Sequence, residues 1–257
     1  YVADFHARQV AHYIAYSKGL TDADLGRVYR LKAKGSKSTK FGTPFSNEQL
    51  METALRHPNR WHRETALRLL GDRKNTALVP RLREVLGKET GQTALQALWA
   101  LNLCGGFGKE VALETLGHEN SHLRRWTVRL LGDQGEVSQE VAERLAELAK
   151  KEPDAEARSQ LAATARRLPA KDGLPILGHL GQRREDTLDP HLPLMIWWGF
   201  EAHARNYEAV LAHFKDSESW NCVLRADGAL PQQNLMRRWA LSGEQVDLEA
   251  CARLLEL

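Results

Sequence analysis

Long apolar runs are absent from this 257-residue chain. No stretch of about eighteen uncharged apolar residues occurs, so no transmembrane helix is expected. Cysteine is scarce: Cys104, Cys222 and Cys251 lie far apart, with no CxxC pair and no CxxCH haem-attachment pattern. They read as small buried hydrophobes. GxSxG and HExxH are missing as well. Gly105-Gly106-Phe107-Gly108 follows a helical pattern rather than a strand, so it reads as a turn and not as a nucleotide cradle. No catalytic residue, metal centre or cofactor site is therefore expected within this chain. Residues 1–5 lack an initiator Met and the basic and apolar regions of a signal peptide. Residues 252–257 stop inside an amphipathic pattern. Both ends read as cut, and the chain is expected to be part of a longer protein.

A strong excess of one charge is also lacking. The chain holds 36 Lys and Arg against 33 Asp and Glu, a net +3. Through Phe45, eight basic residues face three acidic ones; the remaining 28 basic and 30 acidic residues leave −2. A duplex-binding surface generally needs a strongly basic face, so a nucleic-acid partner ranks last among the expectations.

What is present is a repeat. His57-Pro58-Asn59-Arg60-Trp61-His62-Arg63, continuing to Leu69-Leu70-Gly71-Asp72, is echoed 61 positions later. The echo is His118-Glu119-Asn120-Ser121-His122-Leu123-Arg124, continuing to Leu130-Leu131-Gly132-Asp133. Ala97-Leu98 falls 31 after Ala66-Leu67, and Arg158 falls 34 after Arg124, so the unit is roughly 30–34 residues. Two short helices fill such a unit, which points to an all-α, HEAT-like alpha solenoid. The TPR and ankyrin signatures are absent. Helical spacing predicts thirteen helices near 46–57, 60–71, 76–86, 92–104, 108–117, 121–132, 138–150, 155–167, 172–180, 191–204, 207–214, 231–241 and 247–257. Ser46 is an expected N-cap, with Gln49 completing a capping box. Gly71, Gly87, Gly117 and Gly132 are expected as left-handed C-caps.

Residues 1–31 read differently. Tyr1–Phe5 and Gly26–Leu31 alternate as short strands, a β remnant before the helices. Residues 32–45, rich in Lys, Gly and Ser, read as a basic linker. The helical repeats then occupy 46–257.

Several residues are candidates for more than packing. Arg63, Arg68, Arg124, Arg129 and Arg158 recur with the repeat. They form either a phosphate-binding groove or a structural ladder, paired with acids such as Asp72 and Asp133; recurrence favours the ladder. His57/His62 and His118/His122 have metal-ligand spacing, but matching turn positions favour capping or packing. The stretch Asp189-Pro190-His191-Leu192-Pro193-Leu194-Met195-Ile196-Trp197-Trp198-Gly199-Phe200-Glu201 starts a helix near His191. It either packs between repeats or on another domain, or presents His191, Trp197 and Trp198 to a partner or cofactor, with Glu201 a further interaction candidate; aromatic residues at helical spacing are usually core.

A resemblance adds to this reading. Tyr1-Val2-Ala3-Asp4-Phe5, His12-Tyr13 and Gly26-Arg27-Val28-Tyr29-Arg30-Leu31 resemble the closing blade of a sorbosone/glucose dehydrogenase-like β-propeller. The Asp189–Trp198 stretch is similar to one in the HEAT region of large Planctomycetes-type membrane-bound dehydrogenases, also called PVC-type haem-binding CxxCH proteins. Their order is propeller, Lys-rich linker, HEAT repeats and cytochrome c domain. The resemblance implies a periplasmic or extracytoplasmic parent, with haem c and a candidate quinone cofactor lying outside this chain. It also implies intramolecular partners, the propeller and the cytochrome, joined by a non-catalytic scaffold. Asp4, Arg8 and His12 would lie near the last blade, with strand and loop packing as their expected role. Two other functions stay open: a protein-binding module using the concave face or the Trp197/Trp198 patch, and a HEAT-like nucleic-acid binder or DNA glycosylase.

Overall fold

The computed structural model describes residues 2–4, 27–29, 31, 33–35, 45–215 and 230–257. The chain divides into two units, Tyr1–Pro44 and Phe45–Leu257. In the first, β1 (Val2–Asp4) pairs antiparallel with β2 (Arg27–Tyr29), Ala3 standing opposite Val28. Asp4 ends β1; Arg8 and His12 lie outside the described residues, as does Cys222.

The second unit is helical. Its thirteen described α-helices are α1 (Asn47–Arg56), α2 (Arg60–Arg73), α3 (Val79–Lys88), α4 (Gly91–Leu103), α5 (Lys109–Leu116), α6 (Ser121–Gln134) and α7 (Gln139–Lys151). They continue with α8 (Ala155–Ala165), α9 (Ala170–Gly181), α10 (Leu192–His203), α11 (Tyr207–Lys215), α12 (Pro231–Ser242) and α13 (Gln245–Leu255). All thirteen stand where the apolar periodicity predicts helices. None of the described helices is long and apolar enough to cross a membrane.

The helices form two rows. Even-numbered helices pack in unbroken succession, α2 on α4, α4 on α6, and so on to α12. Odd-numbered helices pack likewise from α5 to α13, and hairpin partners such as α1 and α2 close the two rows together. This is an alpha-solenoid-like array. Successive even helices begin 31, 30, 34, 37 and 39 residues apart. The early spacings match the expected unit. The 37-residue step is longer because a 3₁₀ turn, Arg184–Asp186, is inserted between α9 and α10.

Local chemistry explains the helix starts. Ser46 Oγ accepts the Gln49 N–H while Gln49 Oε1 accepts the Ser46 N–H, so the expected capping box is formed. Asn59, Asn120, Ser138 and Asp154 cap α2, α6, α7 and α8 through their side-chain oxygens. Two starts differ from expectation. Residues 76–78 form a 3₁₀ turn and α3 begins only at Val79, with Pro80 in the first turn where no N–H is required. α9 begins at Ala170 and carries Pro175 on its exposed side, losing one backbone hydrogen bond.

The glycines correct the expected helix ends. Gly71, Gly87 and Gly132 lie inside helices, and Gly117 has a negative φ. The left-handed caps are Lys74, Gly135 and Gly243. Gly132 answers a different demand. A Cβ there would stand 2.7 Å from Thr164 Oγ1 and 2.7 Å from an Arg167 guanidinium nitrogen, so glycine lets α6 approach α8. Gly71 does the same against Leu103 of α4, less tightly, at 3.2 Å.

The buried side chains form two clusters that meet at α6. Leu123 and Leu130 join the first, with Leu50, Leu70, Leu82 and Leu98; Val128 and Leu131 join the second, with Leu145, Leu177, Phe200 and Trp239. Each fully buried Leu or Phe contributes about 1.5–3 kcal/mol. On the helix faces read from the apolar spacing, Leu78, Leu82, Leu86, Val141, Leu145 and Leu148 are buried and Val85 is half-buried.

Candidate functional site

Two features of the array could carry function: a chain of buried ion pairs along its loops, and a groove across its even-numbered row.

The ion pairs start from a repeated position, four residues after the N-cap of an even helix. Arg124 Nη1 donates to the carbonyl oxygens of His118 and Glu119, both at 2.8 Å, which ties down the loop preceding α6. Its Nε and Nη2 donate to the two Glu152 carboxylate oxygens, at 2.7 and 2.5 Å, in the next loop. Arg158 repeats the pattern. Its Nη1 donates to the Glu152 and Pro153 carbonyls, at 3.1 and 2.8 Å, and its other nitrogens to Asp186 at 2.7 and 2.5 Å. Glu152 also accepts the Asp154 N–H at 3.0 Å. Three successive loops are thereby linked, each Arg holding its own loop and the acid of the following one. All four side chains are buried. The bond to Glu152 holds the Arg124 guanidinium above its already high ordinary pKa.

Arg63 keeps half of this geometry. Its Nη1 donates to His57 and Pro58 carbonyls, at 2.7 and 3.0 Å, but its buried Nε has no partner among the described residues. α4 has no Arg at the matching position, and Glu89, in the next loop, pairs instead with Arg56 at 2.5 Å. Of the five recurring arginines, Arg124 and Arg158 link successive loops, to Glu152 and Asp186 rather than to Asp72 or Asp133. Asp133 accepts Arg129, four residues earlier, at 3.3 Å and Arg167 at 2.5 Å, both exposed pairs. Arg68 and Asp72 form no ion pair among the described residues, and both are exposed. Sequence reasoning missed Glu152 and Asp186. A signal was available: they are 34 residues apart, the same spacing as Arg124 and Arg158.

The recurring histidines serve the same loops. His57 Nδ1 accepts the Asn59 N–H at 3.1 Å and His118 Nδ1 accepts the Asn120 N–H at 3.0 Å. Glu152 occupies the matching place before Asp154, where a carboxylate can both hold the loop and receive the preceding Arg. Among the described residues, no group of three His, Cys, Asp or Glu is arranged to hold a metal ion. Burial pushes the Cys104 thiol pKa up, as it does for Cys251, so neither is an activated thiolate.

The candidate patch on α10 is divided by the fold. Asp189 Oδ1 accepts the His191 and Leu192 N–H groups, both at 2.8 Å, fixing the helix start. These bonds, Leu192's first, hold the Asp189 carboxyl below its usual value. Trp197 packs half-buried against the core. Glu201 is engaged by Arg238 of α12 at 2.7 Å, an inter-repeat pair. His191 is exposed at the start of the helix, away from the groove lining. Only Trp198, 44% exposed beside Leu194 at 47%, faces outward as a large aromatic surface.

Trp198 lines the groove. Two hollows, of about 360 and 590 Å³, share Arg129, Gln160, Ala163 and Met195 and run together across α6, α8 and α10. Arg125 and Trp126 line one end, Arg166, Arg167 and Trp198 the other. Sequence reasoning missed Arg125, Trp126, Arg166 and Met195. Arg166 is exposed just after α8, whereas Arg125, Trp126 and Met195 are half-buried, the last two against the core; only the packing of three even helices side by side makes one surface of them.

The second unit thus belongs to the class of two-row helical arrays. The sequence matches no family model, and comparisons with curated proteins and with solved structures give no significant match.

Proposed function

We propose that this chain is a non-catalytic, HEAT-like scaffold. The observation that carries the reading is the Arg124–Glu152–Arg158–Asp186 relay. Repeated charged side chains, which could have marked a phosphate site, are consumed in fixing one loop to the next. A repeat array stiffened in this way suits setting a distance between two other modules. By the resemblance of its first residues and of the α10 stretch, those modules are a propeller dehydrogenase and a c-type cytochrome in an extracytoplasmic parent protein. Haem c, and any quinone, would belong to those modules. The purified chain, expressed with haem-maturation machinery, is expected to show no Soret band and no dehydrogenase activity with a dye acceptor. A Soret band refutes the reading. The full open reading frame, with a propeller upstream and a CxxCH downstream, is the second test.

The exposed Trp198 and its groove favour a second reading, a protein-interaction module on the even-numbered row. Large aromatics left at the surface beside Arg are typical of interface anchors. Binding that survives Trp198→Ala unchanged counts against it. Nucleic acid ranks below both, because Glu156 and Asp133 stand among the groove arginines.

A further inference from the structure

The groove across α6, α8 and α10 combines an apolar floor with a guanidinium rim. Ala163, Met195 and Trp198 supply the floor. On the rim, Arg125 is paired with Glu156, and Arg129 and Arg167 share Asp133. Arg166 differs: it is exposed and has neither an ion pair nor a side-chain hydrogen bond among the described residues. The groove therefore offers an apolar seat beside an uncompensated positive charge, with two acids fewer than arginines.

We propose that this groove binds an extended acidic peptide segment of a protein partner, with one large apolar side chain flanked by carboxylates. This rests on the interaction reading above and adds the chemistry of the partner. The apolar side chain covers Met195 and Trp198, removing from water the surface that the fold leaves exposed. One flanking carboxylate pairs with Arg166; a second competes with Asp133 for Arg129 or Arg167. Three neighbouring helices at about 8–10 Å spacing span roughly 16–20 Å, the length of about five or six extended residues. A nucleic-acid strand fits less well. Its closely spaced phosphates would meet Glu156 and Asp133, and residues 46–257 carry a net −2.

A displayed library of random peptides, selected on the purified chain, tests this directly. Enriched peptides are expected to carry a large apolar residue with acidic neighbours and to bind more weakly as salt rises. Trp198→Ala should weaken them by about tenfold or more, as for an interface anchor, and Arg166→Glu by about fivefold or more. Both side chains are exposed, and unchanged far-ultraviolet circular dichroism confirms that the variants fold. If the peptides depend on Trp198 but show no acidic bias and ignore Arg166→Glu, the groove is a binding site and the acidic partner is refuted. If none responds to Trp198→Ala, this inference and the interaction reading fall together. An oligothymidylate probe that binds more tightly than any selected peptide overturns the proposal in favour of nucleic acid.

Discussion

Replacing Glu152 by Gln isolates the charge of the relay from its shape. Glutamine keeps an oxygen that can still accept the Asp154 N–H, and it fills nearly the same volume. What is lost is the negative charge beside Arg124, whose side chain is 10% exposed against 0% for Glu152. Removing one partner of a buried pair costs about 3–5 kcal/mol, because the remaining charge is left without compensation. Arg124 retains its bonds to the His118 and Glu119 carbonyls, so the lower figure, about 3 kcal/mol, applies. For a unit of this size that corresponds to a fall in Tm of roughly 6–12 °C. Urea denaturation followed by circular dichroism measures it as a drop in midpoint at unchanged slope. Asp133→Asn is the control. Its pairs with Arg129 and Arg167 are half-exposed, and solvent screening limits each to about 1 kcal/mol or less. The double variant Arg124→Met/Glu152→Leu should recover only part of the loss, since apolar replacement of a buried pair is often neutral but the His118 and Glu119 carbonyls and the Asp154 N–H lose their partners. A Glu152→Gln protein as stable as the Asp133→Asn protein refutes the reasoning.

Other outcomes follow from the same geometry. Gly132→Ala should destabilise by about 1–3 kcal/mol through overpacking against Thr164 and Arg167. Gly71→Ala, facing only the flexible Leu103 side chain, should be nearly neutral as helix propensity offsets the contact; equal losses in the two melts contradict this. Asn59→Ala and Asn120→Ala should each cost about 1 kcal/mol by loss of an N-cap, read from urea midpoints. His203 is buried with Nε2 bonded to the Ala165 carbonyl at 2.9 Å, and burial lowers its pKa from 6.5. Its folded form therefore resists the proton that the unfolded chain accepts. Stability is retained above about pH 6.5 and declines as pH falls below that value, until the folded-state pKa is reached. His203→Gln should flatten the urea midpoint between pH 7.5 and 5; an unchanged slope removes His203 as the cause.

The helices were legible because each carries its own apolar stripe and, often, its own cap. Ser46, Asn59 and Asn120 need only their next two or three residues to act. The two-helix unit was legible from the 61-residue echo and its half-period. What the pattern hid depends on tertiary approach. Gly71 and Gly132 look like helix ends until α4 and α8 are seen pressed against them. The acids of the relay were hidden because attention went to residues repeating within one block, whereas Glu152 and Asp186 repeat only with Arg124 and Arg158, one loop ahead. Trp197 and Trp198 are adjacent letters with different fates, decided by one hundred degrees of helix rotation. The groove was the least legible, since its lining comes from three helices more than thirty residues apart in order.

The missing partner of Arg63 Nε now has a mechanical meaning. From α5 to the turn before α10, three loops are bolted together by buried charge. The first two hairpins, α1 to α4, are held by apolar packing, by Arg63 and Arg73 bonds to nearby carbonyls and by exposed ion pairs, with no buried ion pair among the described residues. A load drawn along the array meets links of unequal strength. The hairpins nearest residue 46 are expected to give way before the segment that the relay holds, and a pulling experiment that unfolds the relay segment first contradicts this. The second unit is built less like a uniform spring than like a stiff middle segment, where the only ion pairs joining the helices on either side of it, among the described residues, are exposed.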